Sequence, residues 1–370
     1  MDSQQVVFQS GWDRTATAMI ADNTSEVIAR IRTLESGLSA AAKALRQLPA
    51  AGANDAFLAE PPITTCPPNA SFTGTVAAID GGIVSEVYQS CELVLFRAVC
   101  TTFGYENGRV LHKANHPSGL DGFETALLDS FDESDTMQRD SIIRLRSEIA
   151  RARESIKLFS PSMVFLDGSI FPNPQDRPPK DSAAFEGFER LLAEYRFLFA
   201  ECSAADVTLV GVVKDSKSRN YLDALRKSGA LSDFYSEHAK FLSCTNDSAF
   251  LSMALEENER SGLVKFERQD LGKDLCRTTC ATTYVKASKY DRPLRLEFSD
   301  YEKADVASKA ICGLCKGNSR YAYPAILIEA DLRAAMDPKE LEVAYARLCA
   351  KVGPDAVSLR RLRRNERPFR

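Results

Sequence analysis

Residues 162–172 read SMVFLDGSIFP, and in them the apolar residues Met163, Val164, Phe165 and Leu166 run straight into Asp167, Gly168 and Ser169. A short continuous apolar run bounded by turn residues predicts a buried strand over 163–167. The stretch 75–82, TVAAIDGG, repeats the pattern, with an apolar run that stops at Asp80 before Gly81 and Gly82. One Asp-Gly at a strand end is explained by turn chemistry, because the aspartate side chain bonds nearby backbone. Turn chemistry does not explain two strands that are apolar right up to a carboxylate. The pair therefore predicts two carboxylates delivered to one rim of a sheet.

Working outward, the chain reads as strands mixed with long helices. Strands are predicted at 73–80 and 83–103, with Gly81-Gly82 as a tight hairpin between them. A long helix over 135–158 precedes the strand at 163–167, and the segment 171–181, FPNPQDRPPKD, is a loop. A helix at 183–203 leads to the strand 206–213, DVTLVGVV, which ends at Lys214. Further helices are predicted near 219–228, 246–258, 324–336 and 338–351, with strands near 282–287 and 293–298. This order gives an α/β fold, a mixed sheet flanked by helices. Ahead of it, Val27, Ile31, Leu34, Leu38 and Leu45 recur at helical spacing, with Thr24 and Ser25 as caps. That helix, over 24–48, packs on the body or on a second copy. The Ala-, Gly- and Pro-rich residues 49–70 read as a linker, so residues 1–70 form an N-terminal helical segment and 71–370 the main domain.

The chain has 370 residues, 44% of them hydrophobic and 26% charged, with a formal net charge of −4. Nothing here is basic overall, so any nucleic-acid surface must be local. No apolar run approaches the roughly 20 residues of a membrane span, and MDSQQVVFQSGWDR has no signal-peptide core. The ten cysteines are too few and too scattered for a disulfide scaffold, which fits a reducing, cytoplasmic location.

A helical glutamate joins the two aspartates. On the helix before Asp167, Ile142, Leu145, Ile149, Ala152 and Ile156 mark the inner face. At about 100° per residue, Glu148 lies roughly 60° from Leu145 and roughly 40° from Ala152, at the edge of that face, whereas Glu154 turns toward solvent. A half-buried carboxylate is costly without a partner, and a cation shared with Asp80 and Asp167 would supply one. Hard divalent ions take oxygen ligands, and two of them about 4 Å apart stabilise the attacking and leaving oxygens of a phosphodiester displacement. Lys214 would emerge beside such a site, to hold a phosphate or the attacking water, or else lie on the surface as an ordinary snorkelling lysine.

In this order AAIDGG, the helical Glu148, VFLDGSIF and LVGVVKDSKS resemble the NurA nuclease family of prokaryotic DNA-end resection. TNDSAFLSMALEENERSG, TTYVKASKYDRPLRLEF, YPAILIEADLRAA and the closing PFR are similar to that family as well. The resemblance runs over about 73–370. It implies an RNase H-like core, a manganese- or magnesium-dependent nuclease with two ions acting on DNA ends, a homodimer, and a hexameric HerA-like helicase as partner. It also implies that Asp80, Glu148, Asp167 and Asp331 are metal ligands and Lys214 a catalytic lysine. Asp331 stands where the family commonly has His, and aspartate binds the same hard ions. On the helix opened by Pro324, Asp331 shares a predicted apolar stripe with Leu327, Ile328, Leu332 and Ala335. Its partner there is either the metal site or an arginine such as Arg295. Glu329 points elsewhere. A non-catalytic DNA- or motor-binding subunit that keeps the fold is the alternative that the Asp331 departure favours.

Two cysteine pairs, Cys276 with Cys280 and Cys312 with Cys315, are candidate ligands for structural zinc or an iron–sulfur cluster, against a reading as separate buried thiols. Arg360, Arg361, Arg363, Arg364, Arg367 and Arg370 crowd the C-terminus as a solvated end or a phosphate-binding patch. His112, His116 and His238 show no ligand spacing.

Overall fold

The strand that begins at Gly74 does not end at Asp80. It continues as β2 (Gly74–Val87) and pairs along its whole length with β3 (Cys91–Glu106), from Gly74 opposite Tyr105 to Val87 opposite Glu92. The turn expected at Gly81-Gly82 lies instead at residues 88–90. The two glycines sit mid-strand because a neighbour presses on each face, as described below.

The computed structural model describes residues 14–48, 60–119, 122–129, 133–229, 231–266, 279–353 and 357–363; at 14–23, 133–135, 174 and 266 it describes the backbone alone. β4 (Arg109–His116) adds to the far side of β3, and β5 (Glu124–Asp129) pairs with the other end of β3. On the other side of β2, β6 (Met163–Asp167) and then β7 (Thr208–Val213) join in parallel. The order β4-β3-β2-β6-β7, antiparallel on one side and parallel on the other, is that expected of an RNase H-like core. The sheet goes on through β11 (Leu294–Phe298), β10 (Cys280–Lys286), β8 (Glu259–Ser261) and β1 (Ile63–Thr65), all antiparallel, with β9 (Val264–Phe266) also on β10. β1 lies inside the stretch read as a linker; three residues are too few for a period to show. Residues 49–59 of that stretch lie outside the described residues.

Helices cover both faces, as the apolar patterning requires. α2 (Glu133–Phe159) and α3 (Phe185–Ala204) pack Ile142, Ile149, Ala152 and Leu191 against Ala77, Ile79, Val164 and Leu166. α7 (Ala304–Leu314) and α8 (Ala325–Ala334) pack Ala307, Ile311, Leu327 and Ala330 against Val76, Ala78, Phe165 and Val210. Period-2 alternation thus assigns even residues of β2 and odd residues of β6 to the α8 face.

The N-terminal helix α1 (Arg14–Arg46) is longer than its pattern indicated, and Thr24 and Ser25 lie within it rather than capping it. Leu38, Ala41, Ala42 and Leu45 are buried in a cluster with residues of α4 (Asn220–Lys227), α5 (Ser232–Leu242) and α6 (Asp247–Ala254), while Val27 is 53% and Ile31 50% exposed. α9 (Pro338–Val352) starts on a capping box, with Asp337 and Glu340 closing on each other's backbone and Pro338 in the first turn. Among the described residues, no helix is long and apolar enough to cross a membrane.

Candidate metal centre

Asp80 follows Val76 and Ala78 on the α8 face of β2, and Asp167 follows Met163 and Phe165 on the same face of β6. Ile79 is in parallel register with Leu166, so the next residue on each strand, Asp80 and Asp167, come out side by side. Lys214 follows Val210 and Val212 on that face, directly after β7. The carboxylate rim read from the two Asp-Gly stretches is therefore present, although only β6 ends there.

The third carboxylate comes from α8. One oxygen each of Asp80, Asp167 and Asp331 lies within 4.8 Å of the others. Asp80 is buried and Asp331 exposed, which makes the trio deep at one end and open at the other. Asp331 does not lie on the apolar stripe expected of it. The inner residues of α8 are Ile326, Leu327, Ala330 and Ala334, and Leu332 is 70% exposed. Asp331 sits on the helix flank that overhangs the strands. Arg295 is not its partner, for it pairs with Glu297 at 2.6 Å. Glu329 faces Arg333 and Lys113, away from the trio.

Glu148 reaches the same place from the opposite layer. It is 7% exposed, and a Cβ at Gly81 would fall 2.6 Å from its Oε1. A Cβ at Gly82, on the other face, would fall 1.9 Å from the carbonyl oxygen of Ala334 at the end of α8. The Gly-Gly pair thus opens both sides of β2 at once, one for Glu148 and one for α8. Glu148 stays outside the 4.8 Å trio, and its partner is Arg144, one helical turn earlier, rather than a lack of any partner.

Burial drives the electrostatics. It pushes the Asp80 carboxyl up to about 8, reinforced by Asp167, Glu148 and Asp331, and opposed by the Gly81 N–H that donates to Asp80 Oδ1 at 2.7 Å. Burial also pushes Glu148 up to about 7, with Arg144 pulling the other way. Lys214 is desolvated too, but its contact to Asp167 Oδ2 at 2.9 Å raises it on balance and keeps it charged. These groups fit a divalent cation. Three hard oxygen donors converge, and the mutual repulsion and burial that raise Asp80 are costs that a cation would offset.

Tyr323, just before Pro324, opens the stretch YPAILIEADLRAA but was not among the predicted site residues. Its hydroxyl donates to Asp167 Oδ1 at 2.9 Å, and its ring lies 4.8 Å beneath Lys214 Nζ. Asp167 is therefore gripped on both oxygens, one by Tyr323 and one by Lys214. A tyrosine on the segment that leads into the helix of Asp331 was the only clue available.

A NurA domain family model matches residues 74–336. The chain belongs to the NurA family. Its fold is similar to the NurA nuclease of Sulfolobus solfataricus, with a TM-score of 0.59 at 14% identity over 93% of this chain and 98% of that one. A NurA solved with manganese (TM-score 0.43, 12% identity, 90% of this chain and 100% of that chain) and human endonuclease V (TM-score 0.33, 12% identity, 71% and 83%) are more distant. No curated protein matches the sequence.

Among the described residues of this NurA-family chain, the members of the other predicted sites are not brought together. Cys280 lies on the α2–α3 face of the sheet, while Cys312 and Cys315 lie in the core on the α8 face beside Cys66. Close spacing along the chain does not reveal the sheet between them. Cys276 lies outside the described residues, as do Arg364, Arg367 and Arg370 of the tail. Arg361 pairs with Glu86 and Glu342 and stacks on Tyr345, so it is a structural tie rather than a free phosphate contact. His116 meets Glu154 at 3.0 Å on the surface.

Proposed function

We propose that this chain is a manganese- or magnesium-dependent deoxyribonuclease that hydrolyses phosphodiesters at DNA ends. The observation that carries the reading is the convergence of Asp80, Asp167 and Asp331 from two strands and a helix of a NurA-family fold. These three would hold the metal, with Glu148 against Gly81, the residue after Asp80, adding negative charge from the opposite layer. When bound, the cations neutralise the scissile phosphate and lower the barrier to water attack. The chain's own residues do the positioning. Tyr323 and Lys214 fix both oxygens of Asp167, and the Lys214 ammonium, part exposed beside Asp167, is placed to hold a phosphate oxygen. Arg144 opposes the burial that raises Glu148 and holds its carboxylate on the strand side.

In this reading a HerA-like hexameric translocase delivers DNA, and two copies of the chain work together as a homodimer, with the exposed Val27 and Ile31 of α1 facing the partner copy. End-labelled linear DNA incubated with manganese, magnesium or EDTA tests the activity. Cleavage with either metal and none in EDTA is expected, along with loss by orders of magnitude in Asp80→Ala and Asp167→Ala. Full activity in those variants would place the chemistry elsewhere. The non-catalytic alternative predicts DNA binding with no cleavage under any of these conditions.

A further inference from the structure

The chain leaves β6 at Asp167 and turns at once. Gly168 has a φ of +132°, a conformation open to glycine, and its N–H donates to the Val212 carbonyl of β7 at 3.1 Å. The next residues lie close over β7, for a Cβ at Gly211 would fall 2.6 Å from the Gly168 carbonyl oxygen and 2.8 Å from the Ile170 nitrogen. Gly211 stands opposite Glu297 in the pairing of β7 with β11. The bare glycine therefore lets the turn reach one strand further, to Glu297. We propose that Glu297 is a positioning residue for the metal centre, holding the turn that aims the Asp167 carboxylate. This inference rests on the metal-dependent reading above and adds to it a residue from outside the trio.

Both oxygens of Glu297 are engaged. Oε2 accepts from Ser169 Oγ at 2.6 Å and from the Ile170 N–H at 3.0 Å, on the two residues that follow Gly168. Oε1 pairs with Arg295 Nη2 at 2.6 Å, and Arg295 Nη1 donates in turn to Ser216 Oγ at 3.1 Å. Glu297 is only 3% exposed, and burying a carboxylate is costly unless it is paired and hydrogen-bonded. The three groups bonded to it are all donors: a hydroxyl, a backbone N–H and a guanidinium. A glutamine offers one acceptor oxygen and one NH2, so whichever way its amide turned, an N–H would face another donor, either Arg295 or Ile170. A carboxylate, with two acceptor oxygens, satisfies all three.

The two sets of contacts on Asp167 come from opposite faces of the sheet. Tyr323 and Lys214 hold its side chain on the α8 face. Glu297 alternates with Leu296 and Phe298, which lie in the α8-side core, so it holds the backbone after Asp167 from the α2–α3 face. With the turn released, Asp167 could swing about its own backbone, and its oxygen would no longer be fixed relative to Asp80 and Asp331. Side chains that support a ligand in this way typically contribute about 10–100-fold to metal affinity.

Manganese binding to the full chain, followed without DNA by the electron paramagnetic resonance signal of the free ion, tests the role apart from catalysis. Loss of binding in Asp167→Ala identifies the ion held at the trio. Glu297→Gln should raise the Kd for that ion by at least about tenfold. Ser169→Ala removes one of the two donors to Oε2 and should raise it by about threefold to fivefold, which keeps the test open if Glu297→Gln does not fold. Circular dichroism checks folding, and all titrations are run well below the melting temperature. A Glu297 that served stability alone would lower the melting temperature and leave the Kd unchanged. Parent-like manganese affinity in folded Glu297→Gln, or in Ser169→Ala where that variant alone folds, overturns the proposal. A parent whose manganese binding is indifferent to Asp167→Ala overturns it together with the metal centre. Binding that depends on both Asp167 and Glu297, in a parent that cleaves no DNA, upholds the positioning role and sinks the nuclease reading instead.

Discussion

Replacing Asp80 with asparagine should make the metal-free protein more stable, and increasingly so as pH rises. The Asp80 carboxyl is pushed from 3.8 to about 8 by burial and by the Asp167 and Glu148 charges. A carboxyl whose folded value lies above its unfolded value binds more protons folded than unfolded between those two values. Stability then falls as pH rises through that window and levels off above it. Four units at about 1.4 kcal/mol each bound the effect near 6 kcal/mol. The asparagine side chain keeps the acceptor for the Gly81 N–H but still buries an amide, so a net gain of about 2–3 kcal/mol at pH 8 is the reasoned figure. Urea unfolding of Asp80→Asn and parent in EDTA at pH 4.5, 6 and 8 measures it. The two curves should nearly coincide at the lowest pH and separate steadily above it. Manganese at pH 8 should then stabilise the parent far more than the variant. A variant that is less stable than the parent at pH 8, or a gap that narrows with rising pH, refutes the account of the site as mutually repelling carboxylates awaiting a cation.

The glycine pair offers a sharper steric test: Gly82→Ala must move the backbone of α8 away from β2, so both urea midpoint and cleavage should drop, whereas Gly81→Ala meets only the Glu148 side chain and should lose activity with a smaller loss of stability. Asp331→Ala should lower manganese-dependent cleavage by orders of magnitude and Asp331→His should restore part of it; parent-like cleavage by Asp331→Ala would leave the site resting on the strands alone. Tyr323→Phe removes the hydroxyl that holds Asp167 and should cost about 1 kcal/mol in unfolding free energy, together with a drop in kcat rather than in DNA binding. Ile31→Asp should convert a dimer to a monomer in light scattering with an unchanged melting temperature, because Ile31 is exposed in the single chain.

The carboxylate strands were legible because a fully apolar run leaves only one reading for the residue that ends it. Glu148 was legible from helical phase, since its distance from Leu145 and Ala152 does not depend on what lies opposite. The Gly-Gly pair was misread for the complementary reason. A glycine admits a turn and a close neighbour equally well, and the neighbours here come from residues 148 and 334, far along the chain. Asp331 was placed in the right company on the wrong flank of its helix, because α8 is short and both Leu332 and Ala335, counted as inner, face solvent. β8 and β9 are three residues each, below the length at which alternation can be counted. Tyr323 acts through its hydroxyl on a residue 156 positions away, and no local pattern encodes that.

The trio draws its first carboxylate from the first quarter of the chain and its last from the helix that begins at Ala325. A ribosome-bound or truncated chain that stops short of that helix carries Asp80, Glu148 and Asp167 but no closing ligand, and β2 lacks the cover that presses on Gly82. Such a fragment has nothing to grip a cation firmly. On the nuclease reading proposed above, cleavage would have to wait until α8 is made and packed.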